Sequence, residues 1–103
     1  MKPTAFLVNG ARGEVDEEAA LYQALANGGI AGATLEVWYR YPTSAEPTAP
    51  ATQPFHQLDN VIMTPHVSGW TEGMLDARAK LIADNVARIA RGDRPLNAID
   101  SGT

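Results

Sequence analysis

Apolar residues along the chain fall into three short runs, and two stretches of helical spacing lie between and after them. The first run covers 5–8 and stops at Asn9-Gly10. It is too short for a helix and has no polar residue alternating through it, so it is predicted to be a strand buried on both faces. Asp16 then precedes Glu17 and Glu18. An N-cap followed by carboxylates in the first turn suits the positive end of a helix, and Val15 can staple to Ala20. The helix is predicted to run for about ten residues. Its apolar stripe is Leu21, Ala24 and Leu25, and Asn27-Gly28-Gly29 closes it with a positive φ.

The second run, 30–37, is interrupted by Gly32 and Glu36 and ends before Tyr41-Pro42. It reads as a strand in which Gly32 lets another element come close. Residues 43–53 are rich in Pro, Thr, Ala and Ser without periodicity, which predicts a long surface loop. Asn60 leads into a third strand at 61–63, ended by Thr64-Pro65. With Thr71 as its N-cap, a long amphipathic helix is predicted over about 72–91. Leu75, Ala79, Ile82, Val86 and Ile89 recur there at steps of three and four, Arg88 and Arg91 occupy the last turn, and Gly92 stops it.

Strand, helix, strand, loop, strand, helix is an α/β order, and parallel neighbours need such crossovers. Three short strands and two helices are too few to cover both faces of a parallel sheet. The sheet is therefore predicted to be half of a larger one, or to be completed by another chain.

Composition narrows the possible partners. The 103 residues are 45% hydrophobic and 19% charged, an ordinary globular balance with a thin core. A formal net charge of −4 with no Lys/Arg run gives no footprint for nucleic acid or anionic lipid, so neither is an expected partner. Absence of cysteine rules out disulfides and thiolate metal sites. No run approaches a membrane span or an export signal, and a cytoplasmic setting is expected.

Two residues stand out for chemistry. Arg12, in Asn9-Gly10-Ala11-Arg12-Gly13, follows the first strand on the side where open α/β sheets bind ligands. Its planar fork matches a carboxylate. His66, in Thr64-Pro65-His66-Val67-Ser68-Gly69, follows the third strand on the same side and can exchange a proton near neutrality. His56 has no such setting and reads as a surface residue. Two histidines ten residues apart without clustered acids make a poor metal site, so none is expected.

Four segments together carry a resemblance: Val8-Asn9-Gly10-Ala11-Arg12-Gly13, Val15-Asp16-Glu17-Glu18-Ala19-Ala20, Ile30 through Trp38, and Asn60 through Gly69. In this order and at these distances they are similar to V-N-x-A-R-G, V-D-E-x-A-L, I-A-G-A-x-L-D-V-F and N-V-I-x-T-P-H-x-x-G of the D-isomer-specific 2-hydroxyacid dehydrogenases. The resemblance covers nearly the whole chain. It implies a partial Rossmann-type three-layer fold, a short parallel sheet with flanking helices, forming the C-terminal portion of a nucleotide-binding domain. It also implies NAD or NADP and a small 2-hydroxy or 2-oxo acid as ligands of the complete parent. Arg12 would bind the substrate carboxylate and polarise its carbonyl. His66 would exchange the hydroxyl proton while hydride passes to or from nicotinamide. Asn9, Ala11, Glu36, Ser68 and Gly69 fall at cofactor-contacting positions.

Three departures shape the expectation. The family acid that pairs with the histidine is replaced by Tyr41, and similar enzymes acting on formate carry a neutral amide there and share the pair Val37-Trp38. Without a negative neighbour, His66 loses an interaction favouring its protonated form. Glu36 replaces an aspartate and is one methylene longer. The G-x-G-x-x-G loop that holds pyrophosphate at a helix N-terminus is missing, because Gly29 and Gly32 follow a helix and enter a strand, the reverse of the required context. The chain is thus expected to be a fragment of a dehydrogenase that by itself binds no cofactor and turns over nothing. The alternative is a non-catalytic module that self-associates or complements a partner through its sheet edge and uncovered face. Either way a homo-oligomer is expected.

Overall fold

The computed structural model describes residues 1–99, which fall into two compact units, one spanning Met1–Ser68 and one beginning at Gly69. In the first unit, strand β1 (Phe6–Asn9) leads through a 3-10 turn (Gly13–Val15) into helix α1 (Glu18–Ala26). Strand β2 (Gly32–Leu35), a long loop, a second 3-10 turn (Phe55–Gln57) and strand β3 (Val61–Met63) follow. The sheet has the order β1-β2-β3 and is parallel throughout. Asn9 pairs with Leu35 and Leu35 with Met63, so all three strands end in line.

This is the α/β class with the parallel sheet that the element order requires. β2 is shorter than the apolar run around it. Its bonding nonetheless continues past both ends, because Ala31 N–H donates to the Ala5 carbonyl (2.9 Å) and Glu36 N–H to that of Asn9 (3.1 Å). One face of the sheet holds the core. Leu21 and Leu25 of α1 meet Ile30, Ala33, Leu35, Trp38 and Phe55 there, and Leu7, Val61 and Met63 join from the strands. Phe55 sits between the rings of Tyr22, edge-on at 5.5 Å, and Tyr39, stacked at 6.2 Å.

The other face is open, which corrects the reading of β1 as buried on both sides. Phe6 is 71% exposed, Val8 76% and Ile62 64%. Period-two geometry sends Leu7 inward and its neighbours outward, and no described element of this unit lies over them. Within this unit the core lies on one face of the sheet only. Gly32 behaves as expected of a close-approach glycine, since a Cβ there would come within 2.7 Å of both the Asn60 carbonyl oxygen and the Phe6 ring.

The start of α1 differs from the sequence reading. Glu17, not Asp16, is the N-cap, and its carboxylate accepts from the N–H groups of Ala19 (3.2 Å) and Ala20 (2.7 Å). Asp16 is committed elsewhere, to Asn9 and Tyr39. Val15 is exposed and staples nothing. The helix closes as its glycines require: Gly28 has φ +68°, and Gly29 N–H reaches the Ala24 carbonyl (2.7 Å) while Gly28 N–H reaches that of Leu25 (3.3 Å).

In the second unit, helix α2 (Met74–Ala90) starts at Gly73, with φ +77°, and not at Thr71, whose side chain caps nothing. Its end repeats the α1 closure with Gly92 at φ +78° and Asp93 N–H on the Arg88 carbonyl (2.9 Å). Leu96 N–H then donates to Asn85 Oδ1 (2.7 Å), folding the following segment back along the helix. No residue of α2 is buried, so its apolar stripe is exposed along its length. Among the described residues no helix is long and apolar enough to cross a membrane.

Candidate active site

Because the strands are parallel and end in register, the turns after β1, β2 and β3 emerge at one edge of the sheet. Arg12 follows β1 and His66 follows β3, so the topology puts both at the carboxyl edge, about 10 Å apart in strand spacings.

The turn bearing Arg12 is shaped by Asn9, which is buried at the end of β1. Its amide donates to the Arg12 carbonyl (2.9 Å) and to Asp16 (2.7 Å), and its oxygen accepts from Ala11 N–H (3.1 Å). Asn9 and the Ala11 backbone are therefore spent on the turn itself. Asp16 also accepts from the Tyr39 hydroxyl, tying this turn to the exit of β2. Burial pushes the Tyr39 phenol above its ordinary value, with the bond to Asp16 and the charges of Asp16, Glu18 and Glu17 adding to the shift. Gly13 lies against the Trp38 carbonyl, where a Cβ would stand 2.3 Å from the oxygen. Arg12 itself is exposed, donates from Nη1 to the Ala11 carbonyl (2.7 Å), and pairs with no acid among the described residues.

His66 has φ +59°, the left-handed region that a side-chain-bearing residue rarely occupies. Its Nδ1 lies 2.8 Å from the Tyr41 hydroxyl, which also accepts from Trp38 N–H (3.1 Å). Tyr41, the residue that the resemblance sets in place of an acid, is thus hydrogen-bonded to the histidine. A phenol can serve both states of the ring: it donates to a neutral Nδ1 and accepts from a protonated one. A carboxylate would only accept.

Glu36 ties down the same segment from both flanks. Its buried carboxylate accepts from the Thr64 hydroxyl with one oxygen and from Ser68 N–H with the other, two residues either side of His66. The Thr64 hydroxyl and the Ser68 amide hold its pKa down to about 2 against the opposing effect of burial, helped by the Ser68 side chain and the His66 charge. Four of the residues that the sequence singles out, Glu36, Tyr41, His66 and Ser68, are brought together here. Arg12, Asn9 and Ala11 form a separate cluster after β1. Gly69 begins the second unit and is exposed, with open space around it.

Thr64, Trp38 and Gly13 are not marked individually as functional by the sequence. Thr64 carries a signal in its place two residues before the histidine. Gly13 acts by having no side chain, and Trp38 by its backbone N–H on Tyr41 and its indole N–H on the Thr64 carbonyl, a partner 26 residues away that local pattern does not reveal.

A nicotinamide dinucleotide needs a pyrophosphate cradle, and the start of α1 does not fit that role. Helix α1, which follows β1, starts at Glu18 with Glu17 as its N-cap and Asp16 just before, and the Glu17 carboxylate already takes the N–H groups of Ala19 and Ala20. That start repels an anion. No group of three or more potential metal ligands occurs among the described residues.

Comparison with known proteins places the chain in a family. Residues 1–68 match the profile described as D-isomer specific 2-hydroxyacid dehydrogenase, NAD binding domain. The chain belongs to that family. It is 43% identical over 100 residues to a glyoxylate reductase of Pyrococcus furiosus, covering 97% of this chain and 28% of the relative. It is 37% identical to a D-3-phosphoglycerate dehydrogenase of Methanocaldococcus jannaschii, covering 97% and 18%. A crystal structure of a D-isomer specific 2-hydroxyacid dehydrogenase from Xanthobacter autotrophicus, in complex with NADPH and MES, superposes with a TM-score of 0.74 at 36% identity, over 97% of this chain and 38% of that one. The chain therefore spans little more than a quarter of the glyoxylate reductase and less of the phosphoglycerate dehydrogenase, and the Rossmann-like fold of these dehydrogenases is the fold of its sheet.

Proposed function

We propose that the chain is the C-terminal portion of a nucleotide-binding domain, about residues 1–103, and contributes the carboxylate-binding and proton-exchanging groups of an NAD(P)-linked interconversion of a 2-hydroxy acid and a 2-oxo acid. The observation that carries the reading is His66: a strained histidine at the carboxyl edge, bonded at Nδ1 to Tyr41 and anchored on both flanks by Glu36. Backbone strain of this kind persists where the surroundings impose it, and it concentrates at functional sites.

In this reading Arg12 holds the substrate carboxylate with its fork and draws electron density from the adjacent carbonyl. His66 gives a proton to the carbonyl oxygen during reduction and takes it back during oxidation, through Nε2, the nitrogen that Tyr41 leaves free. Tyr41 exchanges donor and acceptor roles as the ring changes state. A bound nicotinamide dinucleotide would supply the hydride, and in this reading its pyrophosphate would need a cradle other than the α1 start. Glu36, Ser68 and Gly69 stand where the nicotinamide would come, while Asn9 and Ala11 shape the Arg12 turn.

Segment exchange tests the assignment. Replacing the corresponding 100 residues of the Pyrococcus furiosus glyoxylate reductase with this chain is expected to give an active oxidoreductase. His66→Ala is expected to cost about 10²–10⁴-fold in kcat. Activity equal between the chimera and its His66→Ala variant ends the reading. The isolated chain is expected to show no saturable binding of NADH by calorimetry, and a low-micromolar dissociation constant would contradict this.

A second reading rests on the open sheet face. Phe6, Val8 and Ile62 form an apolar surface that supports a self-associating, non-catalytic module. A concentration-dependent sedimentation coefficient is expected, and a monomer across micromolar concentrations counts against it.

A further inference from the structure

A cavity of about 340 Å³ opens at the carboxyl end of β2 and β3. Trp38, Tyr41, Pro50, Met63 and Pro65 give it an apolar wall, and Arg40 is its one charged residue. That volume lies at the lower end of the range for small-molecule sites, roughly 300–1,000 Å³, and is far larger than a two-carbon acid fills.

The walls are held in place. The Trp38 indole N–H donates to the Thr64 carbonyl (3.0 Å), joining the exit of β2 to that of β3. Arg40 N–H donates to the Pro50 carbonyl (3.0 Å), closing the loop between them. The three prolines Pro42, Pro50 and Pro65 restrict the backbone on three sides. A cavity set in advance loses little entropy when it is filled.

Neither Arg12 nor His66 lines this space, so a ligand here is not the reacting acid. Arg40 is exposed and pairs with no acid among the described residues. We propose that the cavity binds an organic acid with an apolar body, its aromatic or branched group against Trp38, Met63 and Pro65 and its carboxylate at Arg40. Charge complementarity selects an anion, and the apolar lining selects against inorganic ones. Tyr41 forms part of the wall and its hydroxyl holds His66, so filling the cavity alters the surroundings of the histidine. An acid bound there is an effector of the proton-exchanging pair. The proposal concerns binding by the chain as it stands and does not depend on hydride transfer.

Nuclear magnetic resonance on the ¹⁵N- and methyl-labelled chain tests it with phenylacetate, phenylacetamide and inorganic phosphate as probes. Phenylacetate is expected to shift the Trp38 indole N–H and the Met63 methyl signal saturably at millimolar concentrations, and to move the His66 ring signals with them. Phenylacetamide is expected to bind about tenfold more weakly and phosphate not at all at these signals. Arg40→Gln, an exposed change, is expected to lower phenylacetate affinity about tenfold, and Thr48→Phe to block the cavity. Equal binding of acid and amide, unchanged affinity in Arg40→Gln, or loss of binding in Arg12→Ala with Arg40 intact would each overturn the proposal. So would the absence of any saturable shift. The dehydrogenase reading survives each of these outcomes, and its own failure in the chimera leaves them untouched.

Discussion

Gly13 is the position where the structure makes its sharpest demand on the sequence. An alanine Cβ there would stand 2.3 Å from the Trp38 carbonyl oxygen and 2.6 Å from its carbon, about 1 Å inside ordinary contact. Both are backbone atoms, and Trp38 cannot retreat easily: its N–H is bonded to Tyr41, its indole to Thr64, and its side chain is buried. The turn carrying Arg12 must move instead. Overpacking of this kind costs about 1–3 kcal/mol. Removing a glycine also disfavours the unfolded chain, which returns about 0.4–1 kcal/mol. A net loss of about 1–2 kcal/mol remains, or roughly 5–15 °C in Tm for a domain of this size. At Gly10, three residues earlier, an added Cβ would meet nothing within 4 Å, and the backbone has no left-handed φ. Gly10→Ala is therefore expected to be neutral or stabilising by about 0.5 kcal/mol. Thermal melts of the two variants, followed by circular dichroism, compare them directly. A Gly13→Ala protein that melts at or above the parent refutes the reasoning, as does a Gly10→Ala protein destabilised to the same extent. In the chimera, Gly13→Ala is expected to raise KM for the oxo acid more than it lowers kcat, because it displaces Arg12 and leaves His66 in place.

Phe55→Ala should cost about 3–5 kcal/mol, because this fully buried ring packs between Tyr22 and Tyr39; chemical denaturation measures it, and a loss under 1 kcal/mol would mean the core collapses around the gap. Glu36 has its folded pKa lowered to about 2, so its stabilising effect is full above the ordinary carboxylate value and is lost as pH falls from about 4.5 to 2. Glu36→Gln should flatten the dependence of Tm on pH in that window, and an unchanged slope there would show that its bonds to Thr64 and Ser68 are not formed. Tyr41→Phe removes the acceptor of Trp38 N–H and the partner of His66 Nδ1 and is expected to destabilise by about 1 kcal/mol. In the same variant the ¹⁵N signature of Nδ1 should change, and an unaltered His66 spectrum would count against the pair. Ile62→Lys, on the open face, should weaken self-association while shifting stability by no more than about 0.5 kcal/mol; a large drop in Tm would mean that the face is covered within one chain.

The sequence alone determined the three strand positions, both helices and the carboxyl-edge placement of Arg12 and His66, because each follows from short-range chemistry. Apolar runs too short for helices, the glycine closures after α1 and α2, and the order of elements all act within a few residues or through the crossover rule for parallel strands. The sequence also showed that the sheet lacked cover, by counting elements. Which face stays bare was decided by tertiary structure, since Phe6-Leu7-Val8 reads the same whether one face or both are covered, and only the position of α1 and Phe55 settles it. Long-range competition decided the caps and the site. Asp16 gave up the helix start because Asn9 and Tyr39, from before and far after it, hold its carboxylate, and Glu17 took over. Glu36 became the clamp of the His66 segment because parallel pairing carries Thr64 and Ser68, 28 and 32 residues away, to the end of β2. A carboxylate's partners are set by which backbone returns beside it, and that information is spread over the whole fold.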